Sequence, residues 1–286
     1  MVTIMPVDSR RIVDLSYDLE FNSMTYPFNP RFNLSVQHKG PYGPAPWLQI
    51  GNVEFAVHTG THVDSPNHFR KGGLQAHQIK IERLMGPGVV INVNDKVVQN
   101  IDYQVTHKDL MAWEAENGPI PKGAIVLMNS GWGSRYPDFE RVYNSSTYQD
   151  DFSSLHFPGI HENAAQWLVN NRDINAVGVD TPSGDYGKSE TFPVHRHLLT
   201  KNILIIENVA NMDKLPNSGS YLYLPMIKFK GASGAPARIH ENAAQWLVNN
   251  RDIHAVGVDT PSGDYGQSET FPVHRLLFTK NILIHM

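Results

Sequence analysis

Residues 160–205 read IHENAAQWLVNNRDINAVGVDTPSGDYGKSETFPVHRHLLTKNILI, and the pattern of this segment indicates the fold class. Glu162–Asn170 places its apolar residues at the spacing of an amphipathic helix. Ala176–Val179 and Ile203–Ile206 are short apolar runs, which predict buried strands, and Val194–Thr200 between them predicts a helical turn. Because helix and strand alternate along the segment, we expect an α/β domain.

Two further runs upstream extend this pattern. Gly88–Val93 (GVVINV) and Gly123–Met128 (GAIVLM) each start at a glycine and continue with β-branched or aliphatic residues, so both predict buried strands. The stretch from Tyr26 to Trp47 is instead rich in proline, glycine and aromatic residues. Its composition indicates loops and a hairpin, which often form the rim of a substrate site.

The segment that indicates the fold class occurs twice. Residues 239–284 repeat residues 160–205 with an offset of 79 residues, and only four positions differ. Two copies do not make a solenoid, which stacks at least about three units. Both copies encode the same part of one core, so only one of them can occupy it. We therefore predict that residues 1–239 form the complete domain, and that residues 240–286, a copy of residues 161–205, are a non-catalytic appendage.

The composition excludes several classes of function. The chain of 286 residues has no cysteine, which excludes disulfide scaffolds, thiolate metal sites and thiol nucleophiles. Its net charge of −4 argues against nucleic acid or an anionic membrane as the main partner. No apolar run approaches the roughly 18 residues that span a bilayer, and the first residues do not resemble a secretory signal. We therefore expect a cytoplasmic protein, unless an upstream exon that is missing from this chain supplies a secretory signal.

The chemically most informative stretch is His58-Thr59-Gly60-Thr61-His62-Val63-Asp64-Ser65-Pro66-Asn67-His68. Its three imidazoles and one carboxylate are separated by even numbers of residues, which puts them on one side of an extended chain. The threonines, the glycine and the proline disfavour a helix. Imidazole and carboxylate ligands suit a divalent ion such as Zn²⁺ or Mn²⁺, and Gly60 would allow a tight turn beside it. The stretch therefore predicts a metal site.

This stretch resembles the H-x-G-T-H-x-D-x-P-x-H signature of the metal-dependent cyclase-family hydrolases, which include bacterial-type kynurenine formamidases and isatin hydrolases. Further family segments occur in the same order over about residues 11–239, namely Ile12–Ser16 (IVDLS), Ser130–Trp132 (SGW), Phe157–Gly159 (FPG), Val177–Ser183 (VGVDTPS) and Gly234–Arg238 (GAPAR). The resemblance implies an α/β fold of the swivelling β/β/α type, in which helices flank a mixed sheet or partial barrel. It also implies a homo-oligomer, either a dimer or a tetramer.

The resemblance implies a set of metal ligands. His58, His62 and Asp64 match the ligands of a first metal ion, and Asp64 bridges to a second. His195 and Glu207, which are twelve positions apart, match the remaining ligands of the second ion. The implied cofactors are two divalent ions, with Zn²⁺ as the first candidate and Mn²⁺ as the second.

The resemblance also implies the residues that act on the substrate. His68 matches the general acid/base, and Tyr26 matches, more loosely, an aromatic residue that contacts the substrate and is usually tryptophan. Three more aromatic residues are suited either to the same rim or to an ordinary core, namely Phe28, Trp47 and Trp132.

The implied reaction is hydrolysis of an aryl formamide by a metal-activated water. N-formyl-L-kynurenine would yield L-kynurenine and formate, as in tryptophan catabolism, with His68 transferring the proton. Two alternatives stay open. The first is opening of a cyclic amide such as isatin by the same ligands. The second is a catalytically silent protein, inactivated by the repeated segment.

The repeat and the loop after Val179 bear on this assignment. His274 is the counterpart of His195, but the position twelve residues further on is Met286 rather than a carboxylate, so the second copy lacks the pair. Asp180 and Asp185 flank a Pro-Ser-Gly loop, where we expect them to form turn hydrogen bonds. A serine hydrolase is disfavoured because the chain has no G-x-S-x-G motif.

Overall fold

The computed structural model describes residues 12–149, 151–241, 255–257 and 283–285. The chain forms two compact units. The described part of the larger unit comprises residues 12–33, 54–149 and 151–241, and that of the smaller unit comprises residues 34–53, 255–257 and 283–285.

The strands of the described residues are numbered in chain order. They are β1 (Asn33–Tyr42), β2 (Ala45–Glu54), β3 (His62–Asp64), β4 (Met85–Asn92), β5 (Gln104–Val105), β6 (Ala124–Asn129), β7 (Gly159–Ile160), β8 (Ile174–Val179), β9 (Leu204–Glu207), β10 (Ser218–Tyr223), β11 (Gly234–Pro236), β12 (His240–Glu241), β13 (Ala255–Gly257) and β14 (Leu283–His285). Eight of them form one mixed sheet in the order β11-β3-β9-β8-β6-β4-β10-β12.

The centre of this sheet is parallel. Strands β4, β6, β8 and β9 run in the same direction, and every residue of β6 and β8 is buried. Parallel strands covered on both faces carry continuous apolar runs, which is why these strands were recognisable in the sequence. The four predicted strands are found as β4, β6, β8 and β9.

Helices cover the sheet, as the α/β prediction required. They are α1 (Asn94–Gln99), α2 (His107–Asn117), α3 (Phe139–Tyr143), α4 (Glu162–Asn171) and α5 (Pro193–Leu199). Helix α4 begins after His161, whose Nδ1 accepts a hydrogen bond from the Asn163 amide at 3.1 Å. Helix α5 begins with Pro193, whose fixed φ suits the first turn of a helix. The predicted mixed sheet flanked by helices is confirmed.

Two apolar clusters lie on the two faces of the sheet. Val126 and Val177 point into the cluster that includes the residues of α2, α4 and α5. Their chain neighbours Ile125 and Ala176 belong to the other cluster. This alternation follows from the two-residue period of a strand. The core therefore fixes strand β9, which ends at the candidate site with Glu207.

The described residues of the smaller unit form two pairs of strands. Strands β1 and β2 pair with each other across Gly43 and Pro44, which confirms the hairpin expected in this region. Strands β13 and β14 are parallel, with Ala255 opposite Leu283. The same register, 79 residues earlier, places Ala176 opposite Leu204 in the larger unit.

The repeated segment thus reproduces the strand pairing of its first copy in the residues that the structure describes. Most of residues 240–286 lie outside those residues, so their assignment as a non-catalytic appendage stays a prediction. Within the described ranges, no helix has the length and apolar character needed to cross a membrane.

Candidate metal centre

Strand β3 supplies the centre of the candidate site. It pairs antiparallel with β9, so that His62 lies opposite Glu207. Residues that face each other across two strands have adjacent side chains, and His62 Nε2 lies 3.3 Å from Glu207 Oε2. The other ring nitrogen of His62 is 2.9 Å from the Gly60 carbonyl oxygen. The ring is therefore held with Nε2 toward the carboxylates.

His58 and His68 reach the same point by a different route from the one expected. The expected extended chain is limited to His62–Asp64, because Gly60 has a φ of +61° and turns the chain before the strand. After it, Pro66 begins a short 3₁₀ helix that ends at His68. The expectation of one extended segment from position 58 to position 68 is therefore wrong, although its side chains do converge.

The two outer histidines contact each other and Asp64. His58 Nδ1 lies 2.6 Å from Asp64 Oδ1, and the rings of His58 and His68 stack with centroids 4.2 Å apart. The second nitrogen of His58 lies 2.8 Å from the Ser233 hydroxyl. This serine, which directly precedes β11, was not identified from the sequence.

Helix α5 brings in the distant histidine. His195 Nε2 is 3.3 Å from Asp64 Oδ2 and 3.2 Å from Glu207 Oε1. The structure therefore places all five predicted ligands around one point, although they come from two distant parts of the chain.

The chemistry of these groups fits a divalent cation. His62 Nε2 and Asp64 Oδ2 are buried and form no hydrogen bond of good geometry, although a group of opposite charge lies 3.3 Å from each of them. Ligand atoms gather within 4.8 Å in two groups that share Asp64. The groups are His58, Asp64 and His68, and His62, Asp64 and Glu207.

The pKa values of the candidate ligands also favour a bound cation. Burial lowers the pKa of His62, but the facing carboxylates of Asp64 and Glu207 outweigh this effect and raise the pKa to about 10. Despite its burial, His195 also has a raised pKa, because Asp185, Asp64 and Glu207 surround it. Burial raises the pKa of Asp64, but the adjacent histidines bring it well below its usual range. The site therefore attracts positive charge.

His68 differs from these histidines. Desolvation by the surrounding atoms lowers the pKa of its imidazole to about 4. The lowered pKa means that His68 is neutral at pH 7.

A cavity of about 190 Å³ opens beside the ligands. Tyr26, Phe69 and Phe192 give it an aromatic wall, and the other lining residues are Asn29, His58, His68, Ser183, His195 and Glu207. Phe69 and Phe192 were missed in the sequence, although one follows His68 directly and the other precedes the first residue of α5.

The remaining predicted rim residues have other locations. Trp132 is a core residue, 2% exposed, and its indole N–H donates to the Val142 carbonyl oxygen at 2.8 Å. Phe28 is not among the residues that line the cavity, and Trp47 lies on β2 in the smaller unit. Of the four aromatic candidates, only Tyr26 lines the cavity.

Asp180 and Asp185 flank the loop after β8 but have different roles. The Asp180 carboxylate accepts hydrogen bonds from the Ser130 amide and hydroxyl and from the Trp132 amide, so it fastens a turn as expected. Burial raises the pKa of Asp180 to about 6. Asp185 instead contacts a candidate ligand, because its Oδ2 lies 2.6 Å from His195 Nδ1.

Comparison with known proteins identifies the family. Residues 13–186 match the Cyclase family model. The chain belongs to the cyclase family. The family resemblance seen in the sequence is confirmed, and with it the prediction of a hydrolase.

Individual relatives of this cyclase-family chain are distant. It is 29% identical over 206 residues to an isatin hydrolase of Roseibium aggregatum, covering 70% of this chain and 74% of the relative. It is 24% identical over 226 residues to a kynurenine formamidase of Bacillus cereus, covering 79% and 94%. Among solved structures, isatin hydrolase A from Labrenzia aggregata bound to benzyl benzoate superposes with a TM-score of 0.72 at 28% identity, covering 80% of this chain and 92% of that one.

Proposed function

We propose that this chain is a metal-dependent hydrolase of aromatic amides, and that N-formyl-L-kynurenine is its substrate, cleaved to L-kynurenine and formate in tryptophan catabolism. The observation that carries the proposal is the position of Asp64, whose two carboxylate oxygens contact imidazoles from two distant segments beside an aromatic cavity. The similarity to a kynurenine formamidase supports this substrate.

Two divalent ions, Zn²⁺ or Mn²⁺, are the proposed cofactors. Asp64 would be their shared ligand, because it belongs to both groups of ligand atoms. The other ligands would be His58, His62, His195 and Glu207. Bound ions of this kind lower the pKa of water toward neutrality and polarise a carbonyl group.

His68 would transfer the proton. It lines the cavity, and its neutral imidazole can accept a proton from the attacking water. The water oxygen forms a bond to the formyl carbon, the carbon–nitrogen bond breaks, and the departing amine takes the proton from His68. Tyr26, Phe69 and Phe192 would hold the aromatic ring of the substrate against the cavity wall.

Opening of a cyclic amide such as isatin is the second candidate. The isatin hydrolase of Roseibium aggregatum is more similar in sequence than the Bacillus cereus kynurenine formamidase, at 29% against 24% identity. The cavity of about 190 Å³ is also smaller than the roughly 300–1,000 Å³ typical of ligand pockets. A small cavity suits a compact bicyclic substrate.

A direct assay distinguishes these candidates. The metal-free protein is loaded with Zn²⁺ or with Mn²⁺, its metal content is measured, and each substrate is supplied separately. We expect formate release from N-formyl-L-kynurenine. Turnover of isatin alone would support the second candidate, and bound metal without turnover of either substrate would show that the protein is catalytically silent.

Three variants test the residue assignment. His68→Ala is expected to retain metal and to lose about 10²–10⁴-fold in turnover, the usual contribution of a positioned acid/base. Asp64→Ala is expected to lose both metal and activity. His197→Leu is the matched control, because it changes a partly exposed histidine of α5 to the residue that the repeat carries at position 276. Full metal content in Asp64→Ala would show that our ligand assignment is wrong.

A further inference from the structure

We infer that Asp185 is a positioning residue for the metal centre, which orients His195 and fixes the ring nitrogen that carries its proton. The inference rests on the proposed metal site. Sequence patterns assigned to Asp185 only a turn in the loop after β8, but its carboxylate lies directly behind a candidate ligand.

Asp185 is buried, and its carboxylate contacts the first turn of α5. The residue is 1% exposed. Its Oδ1 accepts a hydrogen bond from the Val194 amide at 2.9 Å, and its Oδ2 accepts one from the His195 amide at 3.2 Å. The same Oδ2 lies 2.6 Å from His195 Nδ1. The carboxylate is thus anchored on the backbone of α5 and aimed at one nitrogen of the His195 ring.

This contact determines which nitrogen of His195 is available to a metal. A carboxylate accepts hydrogen bonds only, so Nδ1 must carry the proton in the neutral imidazole. The lone pair then lies on Nε2, the atom that faces Asp64 and Glu207. A carboxylate behind a ligating histidine has this orienting effect in metal sites generally.

The same loop also holds the second carboxylate of the site. The amide of Gly184 donates to Glu207 Oε1 at 2.9 Å. Adjacent residues, Gly184 and Asp185, therefore orient Glu207 and His195, which lie on different elements. The loop thus connects the orientations of these two buried side chains.

The test compares two buried aspartates. Asp185→Asn keeps the shape of the side chain but presents an N–H group or a single oxygen where the carboxylate had two acceptors. Asp109→Asn is the matched control, because Asp109 is also buried and also accepts a backbone amide, that of Thr106, near the start of a helix. Zn²⁺ affinity is measured by competition with a chelator, and thermal unfolding is measured without metal.

We expect Zn²⁺ to bind Asp185→Asn about 10–100-fold more weakly than the unmodified protein, the usual effect of losing such a partner. Asp109→Asn is expected to keep the unmodified affinity even where its unfolding temperature falls. Equal Zn²⁺ affinity in Asp185→Asn and in the unmodified protein would overturn this inference but would leave the proposed function standing. If the unmodified protein binds no Zn²⁺, the proposed function fails with it.

A second measurement observes the ring of His195 in the unmodified protein. Nitrogen-15 NMR of the histidine rings in the Zn²⁺-loaded, unmodified protein identifies the protonated nitrogen of His195, with His195→Gln used to assign the signal. We expect the proton on Nδ1. A proton on Nε2 would overturn the inference, because Asp185 would then not determine the tautomer of the His195 ring.

Discussion

Metal binding at this site is expected to release about two protons at neutral pH. In the metal-free protein, the carboxylates raise the pKa of His62 to about 10 and also raise that of His195, so both rings are protonated at pH 7.5. A histidine that binds a metal must be neutral. Each of these rings therefore gives up one proton when the cation takes its place.

The number of protons sets the pH dependence of the affinity. By linkage, each released proton strengthens the apparent affinity about tenfold for each rise of one pH unit. Two protons predict that Zn²⁺ binds about 100-fold more tightly at pH 8 than at pH 7. His62→Gln removes one of the titrating rings, so its affinity is expected to rise by only about tenfold over the same range.

Calorimetry measures the proton release directly. Zn²⁺ is titrated into the metal-free protein in two buffers whose ionisation enthalpies differ, and the difference between the observed heats gives the number of protons. His197→Leu serves as the control, because the His197 ring is only partly buried and lies 2.8 Å from Glu162 Oε1, away from the site. No proton release, together with an affinity that does not change with pH, would show that Asp64 and Glu207 do not hold charged imidazoles and would refute this reasoning.

Three further predictions concern stability. The folded-state pKa of His62 is raised from 6.5 to about 10, so the contribution of His62 to folding stability is fully present below pH 6.5 and is lost as the pH rises through 10. The unfolding temperature of the metal-free protein should therefore fall over this range. An unfolding temperature that stays constant would contradict this prediction. Burial raises the pKa of Asp109, but hydrogen bonds from Lys96 and Thr106 outweigh this effect and lower the pKa. Asp109→Asn should therefore reduce the free energy of unfolding by about 1–3 kcal/mol at pH 7, measured by urea unfolding. This loss should become smaller as the pH falls below 3.8. Phe157 is fully buried, so Phe157→Ala should cost about 3–5 kcal/mol in the same assay, whereas Val98→Ala, at an exposed position of α1, should stay within about 0.5 kcal/mol.

The central strands and the metal-binding motif were predictable because their signals are local. Strands β6 and β8 are buried on both faces, so nearly all of their residues are apolar and form a continuous apolar run in the sequence. The ligands from His58 to His68 are close in the sequence, and the pair His195 and Glu207 was found through the family resemblance. In these cases a short stretch of chain contains the information.

The residues that were missed enter the site through contacts that no local sequence pattern indicates. Ser233 contacts His58 across 175 positions, and no local pattern distinguishes it from another loop serine. Asp185 was read as a turn residue because its sequence neighbours form a loop, whereas its partner is the ring of His195, ten positions away on α5. Phe192 reaches the cavity only because α5 starts directly after it.

The role of the repeated segment is tested by a shortened chain that ends at Glu241. All five proposed ligands lie between positions 58 and 207. The sheet of the larger unit ends in β12, where His240 pairs with Tyr223, and the Leu15 amide donates to the Ile239 carbonyl oxygen at 2.8 Å.

The segment removed by this truncation carries the strand pair β13 and β14 in the register of β8 and β9, but it has Met286 where the first copy has a carboxylate. We therefore expect the shortened chain to keep the Zn²⁺ affinity and turnover of the full chain, measured by the same chelator competition and formate assays. A shortened chain that keeps its unfolding transition but loses Zn²⁺ would show that the second copy contributes to the site, because the first copy alone would then not complete it.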